Sequence, residues 1–258
     1  MSQISMFSGA APGKKKSKKS AAPLRKTAPK NNDYLEKKFA AGKKIWLSPS
    51  GLGGMNRCPR CFWLQYNRGI YQPEGIVSRL ANRFDSVIKK YFDLYRSKGE
   101  LPPMIEGKVK GKLQYPFQEV YFYHHSKYYG YMGRLDECLV QNENKFTPVD
   151  HKTSSSDPRE KDVLEAYQNQ LDSYAFLLEA NKKKSSGIGH LIYFYPEDHT
   201  ELHNGFRMLV YVQTLKTNPN SAYKKFLEAV KVLEKPLPKP SEACPFCKWY
   251  DQVGKEVE

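Results

Sequence analysis

Apolar side chains recur at steps of three and four residues in several long stretches of the chain, and this period predicts amphipathic helices. The helical stretches are residues 76–97, 157–178 and 219–233. Between them, shorter runs rich in β-branched and aromatic residues predict strands, because such side chains pack well on a pleated surface. The predicted strands are residues 117–124, 133–136, 149–153, 188–195 and 208–214. This order predicts an α/β fold with a mixed central β-sheet flanked by helices.

Two neighbouring strands are separated by residues 141–145, whose composition favours a turn, so they predict an antiparallel hairpin. A hairpin centred on Glu143 places Asp136 opposite Asp150, with Cβ atoms about 4.5–5.5 Å apart. Lys152 follows two residues after Asp150 and therefore points to the same side of its strand. The pattern predicts two carboxylates and one ammonium group on one face of the hairpin.

Two carboxylates this close repel each other unless a proton or a cation lies between them. Oxygen ligands favour a hard divalent ion, such as Mg²⁺ or Mn²⁺. A lysine beside such an ion can orient water or stabilise an oxyanion, and these groups together suit the hydrolysis of a phosphodiester. The alternative is a surface hairpin with ordinary charges.

The helix after this hairpin is predicted to begin at Asp157 and Pro158, with Asp157 as its N-cap. Gln170 and Tyr174 are four residues apart and share its inner face. A buried glutamine costs free energy unless its amide is hydrogen-bonded. Gln170 is therefore expected either to bond a group at the carboxylate site or to be a tolerated polar residue of an amphipathic helix.

Three motifs thus occur in a fixed order along the chain. They are G-x-x-D from Gly133 to Asp136, D-x-K from Asp150 to Lys152, and Q-x-x-x-Y from Gln170 to Tyr174. Their order resembles the RecB-type branch of the PD-(D/E)XK nuclease superfamily, which includes CRISPR-associated and AddB-type exonuclease domains. The resemblance extends to L-S-P-S at 47–50, C-P-R-C-F at 58–62 and C-P-F-C at 244–247, and covers residues 46–250.

The resemblance implies a restriction-endonuclease-like core and a role for each motif residue. Asp136 and Asp150 would be metal ligands, and Lys152 would be the catalytic lysine. The backbone carbonyl of His151 would also bind the metal. Gln170 and Tyr174 would help orient the site or the DNA.

The first motif of the branch is often a His or Glu on an early helix, and Asp85 is the candidate for it here. Asp85 lies on the predicted helix 76–97 in a stripe with Ala81, Ile88 and Phe92. A carboxylate flanked by apolar side chains is costly unless it is paired or bound to metal. The alternative is a half-exposed Asp85 that pairs with Lys89.

The cysteines form a second candidate site. Cys58 and Cys61 are one C-x-x-C pair and Cys244 and Cys247 are another, a spacing that lets two thiolates bind one ion or cluster. A shared site would join the two ends of the domain. The resemblance implies a [4Fe-4S] cluster, zinc is the alternative, and two reduced pairs that only pack together are a third interpretation. Cys138 is expected to be a separate buried thiol.

The chain has 258 residues and a formal charge of +15, which favours a polyanionic partner. Residues 1–45 hold twelve Lys or Arg residues and two acidic ones, so most of the charge lies there. Their composition predicts a disordered basic tail, followed by a nuclease-like domain at 46–258. The lysines of 14–19 suit non-specific attraction to phosphates; an inert solubilising tail or a nuclear address are the alternatives.

No run approaches the roughly 20 apolar residues of a membrane span, and the N-terminus lacks the apolar core of a signal peptide. These features predict a cytoplasmic protein with no membrane partner. Its cysteines then indicate metal binding or free thiols rather than structural disulfides. No G-x-x-x-x-G-K-[ST] loop occurs, so ATP-driven unwinding would need a helicase partner on another chain.

The sequence therefore predicts a Mg²⁺- or Mn²⁺-dependent deoxyribonuclease, an exonuclease rather than an endonuclease. Its substrate would be single-stranded DNA or DNA ends, in repair, recombination or defence. The alternatives are an RNA nuclease and a nucleic-acid-binding module that keeps the fold without catalysis.

Overall fold

The fold is described by a computed structural model for residues 33–73, 79–198, 205 and 207–257. The helices are α1 (Asp33–Ala40), α2 (Pro49–Arg57), α3 (Pro59–Arg68), α4 (Arg79–Arg96), α5 (Glu165–Ala180), α6 (Pro219–Glu234) and α7 (Pro245–Val257). The strands are β1 (Ile45–Leu47), β2 (Lys112–Leu113), β3 (Val120–His124), β4 (Tyr129–Arg134), β5 (Glu137–Gln141), β6 (Lys145–Thr153), β7 (Ile188–Pro196) and β8 (Met208–Lys216). Within these ranges, no helix combines the length and the apolar character needed to cross a membrane.

The strands form two sheets, and both are mixed. One has the order β1-β4-β3, in which β1 and β4 are parallel, and the other has the order β2-β5-β6-β7-β8, in which β6 and β7 are parallel. The predicted mixed α/β fold is confirmed. The strands divide between two sheets because the chain leaves the first sheet after Arg134 and enters the second at Glu137.

Helices cover both faces of the five-stranded sheet. Residues that alternate along a strand point to opposite faces, so each of the inner strands contributes to two apolar clusters. Leu139, Val149 and Ile192 pack with α4, whereas Cys138 and Leu191 pack with α5. The residues that precede and follow Val149 therefore lie on the face of the sheet opposite to Val149.

Helix α4 has two neighbouring apolar stripes, which differ in how far they are buried against the sheet. The stripe of Leu80, Val87 and Leu94 is largely exposed, and Leu80 and Leu94 each keep 64% of their surface in water. The adjoining stripe buries Ile88 and Phe92 against the sheet. This rotation turns Asp85, which belongs to the buried stripe, toward the sheet.

Two predicted boundaries differ from the structure. Residues 1–45 are predicted to be a disordered tail, but helix α1 lies within them. It packs on the folded domain through Phe39, whose ring centroid is 4.4 Å from that of Tyr128. Residues 1–32, including the lysine run, lie outside the described residues. The helix predicted from Asp157 begins instead at Glu165, since Asp157 caps a short 3₁₀ helix at Pro158–Glu160.

A buried ion pair joins the end of α4 to the start of β5. Arg96 donates two hydrogen bonds to the carboxylate of Glu137, at 2.8 and 2.6 Å, and a third to the carbonyl of Gln114 at 3.0 Å. Its guanidinium also lies over the ring of Phe117. Glu137 is 1% exposed, and burial raises its pKa despite the bound arginine. The pair therefore attaches the end of α4 to Glu137, the residue that follows Asp136 in the sequence.

We expect Arg96→Met to lower the free energy of unfolding by about 3–5 kcal/mol, because it leaves a buried carboxylate without its partner. Urea unfolding followed by circular dichroism measures this loss. Arg134→Met is the matched control, since Arg134 pairs with Glu119 in water and should contribute less than about 1 kcal/mol. Equal losses in the two variants would contradict a stabilising role for the buried pair.

Candidate active site and cysteine centre

The β5–β6 hairpin has the predicted register. Glu137 pairs with Val149 and Gln141 pairs with Lys145, around a 3₁₀ turn at Asn142–Asn144. Continued by one residue, this register places Asp136 opposite Asp150. The backbone N–H of His151 donates to Asp136 Oδ2 at 3.1 Å, which fixes the Asp136 side chain against the neighbouring strand.

The G-x-x-D motif is the crossing between the two sheets. Gly133 pairs with Tyr121 in the three-stranded sheet, and Asp136 directly precedes β5 in the other sheet. A Cβ at Gly133 would come within 2.6 Å of Leu177 and 3.3 Å of Tyr174. The glycine therefore allows α5 to pack closely beside the crossing, where α5 delivers its own polar residues.

Asp150 and Lys152 form a buried pair on the face of β6 that meets α5. Lys152 Nζ lies 2.5 Å from Asp150 Oδ2, and the Asp150 side chain is 1% exposed. Neither Asp150 oxygen has a well-aligned hydrogen bond among the described residues. Burial, opposed by Lys152 and aided by the charge of Asp136, raises the pKa of Asp150 to about 6. Such a carboxylate is costly to keep ionised and would be stabilised by a cation.

Helix α5 completes this face with a short chain of hydrogen bonds. Lys152 Nζ donates to Gln170 Oε1 at 3.0 Å, and Gln170 Nε2 donates to the hydroxyl of Tyr174 at 2.7 Å. The Lys152 ammonium also lies 4.5 Å from the centre of the Tyr167 ring. Burial and the charge of Asp150 raise the pKa of Tyr174. Gln170 thus holds the lysine in place, and it is not a tolerated polar residue without a partner.

The opposite face of β6 carries a second polar group. Lys89 Nζ lies 3.1 Å from Asp85 Oδ2 and 3.0 Å from Asp136 Oδ1. Ligand atoms of Asp85, Asp136 and the His151 ring all lie within 4.8 Å of one another, and Asp150 is not a member of this group. Asp85 therefore pairs with Lys89, as the ion-pair alternative predicts. It also lies beside Asp136, where a metal ligand would have to be.

The four paired cysteines come together at the other end of the domain. The Sγ distances are 3.9 Å from Cys58 to Cys247, 3.7 Å from Cys61 to Cys244 and 3.6 Å from Cys61 to Cys247. Each pair spans the first turn of a helix, α3 or α7. Cys138 is buried in the core and is not a member of this group, as expected for a separate thiol.

The ionisation of these thiols suits a bound cation. Burial acts to raise the pKa of Cys58, but backbone hydrogen bonds from Ser241 and Cys61 outweigh it and lower that pKa to about 7. Burial and the neighbouring thiols raise the pKa of Cys247. Four adjacent thiols resist joint ionisation, whereas a metal ion takes thiolates as ligands and releases their protons.

A family profile described as the PD-(D/E)XK nuclease superfamily matches residues 96–252. This chain belongs to the PD-(D/E)XK nuclease superfamily. The match includes the motif residues from Asp136 to Tyr174 and the later cysteine pair, and it excludes Asp85 and the earlier pair. Membership in a superfamily of nucleases that use divalent metals indicates a hydrolase with metal-dependent nuclease activity.

Other comparisons add little to this assignment. A solved structure titled "Crystal structure of SSO0001" is 15% identical over 88% of this chain and 95% of its own, with a TM-score of 0.39. No curated protein matches the chain. The assignment to the superfamily therefore rests on the family profile, and the RecB-type branch stays a prediction.

The structure adds two side chains that sequence reasoning did not place in the nuclease site. The sequence predicts Lys89 only as a partner of Asp85, and the family resemblance implies a role only for the backbone carbonyl of His151. The four-residue step from Asp85 to Lys89 predicts their ion pair, whereas nothing in the local sequence indicates that Lys89 also contacts Asp136. The position of the His151 ring follows from strand alternation, because it must point away from the face that holds Asp150.

The buried Asp150 should make the stability of the nuclease depend on pH when no metal is present. Its pKa rises from 3.8 to about 6 on folding, so between these values the folded state holds a proton that the unfolded state releases. The contribution of this group to the free energy of unfolding should fall as the pH rises through this window. Above about pH 6, the accumulated loss is at most about 3 kcal/mol.

Asp150→Asn should remove this pH dependence and stabilise the metal-free protein above about pH 6. Urea unfolding with a chelator, at several pH values on both sides of the window, measures the difference between the two proteins. Asp251→Asn, at an exposed carboxylate of α7, controls for loss of a surface charge. A difference between wild type and Asp150→Asn that does not change with pH would contradict the expectation.

Proposed function

We propose that this nuclease hydrolyses phosphodiester bonds of DNA with Mg²⁺ or Mn²⁺ held by Asp136, Asp150 and Asp85. The observation that carries the proposal is the buried Asp150–Lys152 pair, which follows the Glu137–Val149 pairing directly and lies next to His151, whose backbone N–H donates to Asp136. The buried carboxylate oxygens of Asp150 lack well-aligned hydrogen bonds, so additional positive charge beside them would stabilise the ionised form. An oxygen-rich donor set suits a hard divalent ion.

When bound, the divalent ion would supply a Lewis acid that polarises the phosphoryl group. The chain's own residues act around it. Lys152, oriented by Gln170 and by the Tyr167 ring, would stabilise the negative charge that develops on the phosphoryl oxygens. Tyr174 would hold the amide of Gln170 through its hydroxyl and so keep the lysine in one position.

The substrate and pathway form the finer part of the proposal. Superfamily membership and the formal charge of +15 support a nucleic-acid substrate. The motif order of the RecB-type branch supports DNA over RNA, single strands or ends over internal sites, and exonuclease over endonuclease action. The same resemblance supports a cytoplasmic role in repair, recombination or defence beside a helicase, with residues 1–45 aiding attraction to DNA.

We also propose that the four cysteines hold one structural metal, and that zinc fits their geometry better than an iron–sulfur cluster does. Tetrahedral zinc with Zn–S bonds of about 2.3 Å places its sulfurs about 3.8 Å apart. The Sγ atoms of the site are separated by 3.6–3.9 Å in the three pairs given above. A four-iron cluster is larger than one ion and would need the four sulfurs to lie further apart.

Cleavage assays on labelled single-stranded DNA, double-stranded DNA and RNA, each with Mn²⁺ and with Mg²⁺, test the activity. We expect wild type to cleave DNA and Lys152→Met to be slower by about a hundredfold or more, because the charge next to the reacting phosphate is lost. Lys161→Met is the matched control, because Lys161 is an exposed lysine that precedes α5, and this variant should retain activity.

Three results would revise the proposal in different ways. Cleavage of RNA but not DNA would indicate an RNA nuclease. DNA binding without cleavage by wild type would indicate a binding module. Equal cleavage by wild type and Lys152→Met would remove the lysine from the catalytic machinery.

Elemental analysis and visible absorption of the purified protein test the cysteine centre. We expect about one zinc ion per chain, no iron–sulfur absorption, and loss of both the metal and thermal stability in Cys247→Ser. Cys138→Ser is the matched control, because Cys138 is equally buried and lies outside the group. Visible absorption with bound iron would identify a cluster, and unchanged metal content in Cys247→Ser would show that the cysteines do not share a metal.

A further inference from the structure

The imidazole of His151 is buried without a hydrogen-bond partner. Its ring packs between Phe92 and Phe194, with centroid distances of 4.7 and 5.7 Å. Both ring nitrogens are inaccessible to solvent and unpaired among the described residues. Buried polar atoms usually have partners, and a wholly unpaired imidazole is costly. The unpaired nitrogens therefore indicate a missing ligand.

The ring is directed toward two carboxylates. A nitrogen of His151 lies within 4.8 Å of oxygen atoms of both Asp85 and Asp136, and those oxygens are equally close to each other. Imidazole nitrogen and carboxylate oxygen are common metal ligands, and together they suit transition ions such as Mn²⁺, Co²⁺ and Ni²⁺. The buried imidazole is an observation independent of the acidic pair.

The position between the carboxylates already attracts a cation. Lys89 extends from α4 and contacts Asp85 and Asp136 at 3.1 and 3.0 Å. Its side chain is 32% exposed and can swing into water. Lys89 thus marks where positive charge is stable and could leave when an ion enters.

We infer that the ring of His151 is a nitrogen ligand of the divalent ion bound by Asp85 and Asp136, and that Lys89 occupies the ion's position in its absence. The inference rests on the proposed function, in which these carboxylates bind metal, and extends it to the choice of metal. A nitrogen ligand favours Mn²⁺, Co²⁺ and Ni²⁺ over Mg²⁺, which prefers oxygen. The site would then be selective for transition ions.

The test measures metal binding by the full chain with its cysteine centre left loaded. Titration calorimetry gives the affinities for Mn²⁺, Co²⁺ and Mg²⁺, and pulsed electron paramagnetic resonance of bound Mn²⁺ detects coupling to a ligand nitrogen. His151→Gln removes the imidazole and keeps the backbone carbonyl, so it separates the ring from the carbonyl. His190→Gln is the matched control, because His190 is also buried on the sheet with an unpaired Nε2.

We expect nitrogen coupling in wild type and His190→Gln and none in His151→Gln. His151→Gln should lower the affinity for Mn²⁺ and Co²⁺ at least about tenfold and change that for Mg²⁺ much less. Lys89→Met, on the partly exposed side of α4, should fold normally and raise the affinity for all three ions several-fold.

Coupling that persists in His151→Gln, or equal losses of Mn²⁺ and Mg²⁺ affinity, would overturn the inference. So would a Lys89→Met variant that binds metal no better than wild type, a result that holds even if His151→Gln fails to fold. Mn²⁺ binding that depends on Asp136 but shows no nitrogen coupling would refute only the role of the ring. Absence of any binding that depends on Asp136 would refute the proposed metal site itself.

Discussion

The register of the β5–β6 hairpin is the constraint on which the candidate site depends. A shift of one residue would move every side chain of β6 to the other face of the sheet. In the observed register, Asp150 and Lys152 face α5 while His151 faces α4. Asp136 directly precedes the partner strand, where it accepts a hydrogen bond from the backbone of His151 and pairs with Lys89. One short hairpin therefore supplies polar groups to two faces.

The two helices that cover this sheet bring further polar side chains to the residues of the hairpin. Helix α4 is anchored by the buried Arg96–Glu137 pair, and its buried stripe carries Asp85 and Lys89 to Asp136. Helix α5 approaches closely because Gly133 has no side chain, and it brings Gln170 to Lys152. Buried charges are expensive in such places. Each one here has either an opposite charge beside it or a geometry that suits a bound cation.

The four clustered cysteines connect two segments that lie far apart in the sequence. They join α3, near the start of the folded domain, to α7 near its end, across 183 residues between Cys61 and Cys244. A metal bound by these cysteines, as proposed, would close this long loop and so restrict the unfolded chain. The β5–β6 hairpin lies between these two segments in the sequence. The two cysteine pairs therefore flank the hairpin in the sequence and meet in the folded domain.

The sequence by itself determined the features that depend on local spacing. The turn at Glu143 fixed which residues of β5 and β6 oppose each other, the four-residue step placed Gln170 beside Tyr174, and two C-x-x-C pairs indicated one shared centre. It also gave the mixed α/β class, because alternation and helical periodicity are local properties. These are contacts that a short segment specifies without knowledge of its neighbours.

Only the tertiary structure decided the rest. The sequence did not show that the strands divide into two sheets, that α4 packs through Ile88 and Phe92, or that Phe39 holds α1 in place. Nor did it show that the ring of His151 meets Asp85 and Lys89. Each of these depends on how separate segments pack, since the rotation of a helix is set by the surface that it covers. Composition along one segment carries no information about that surface.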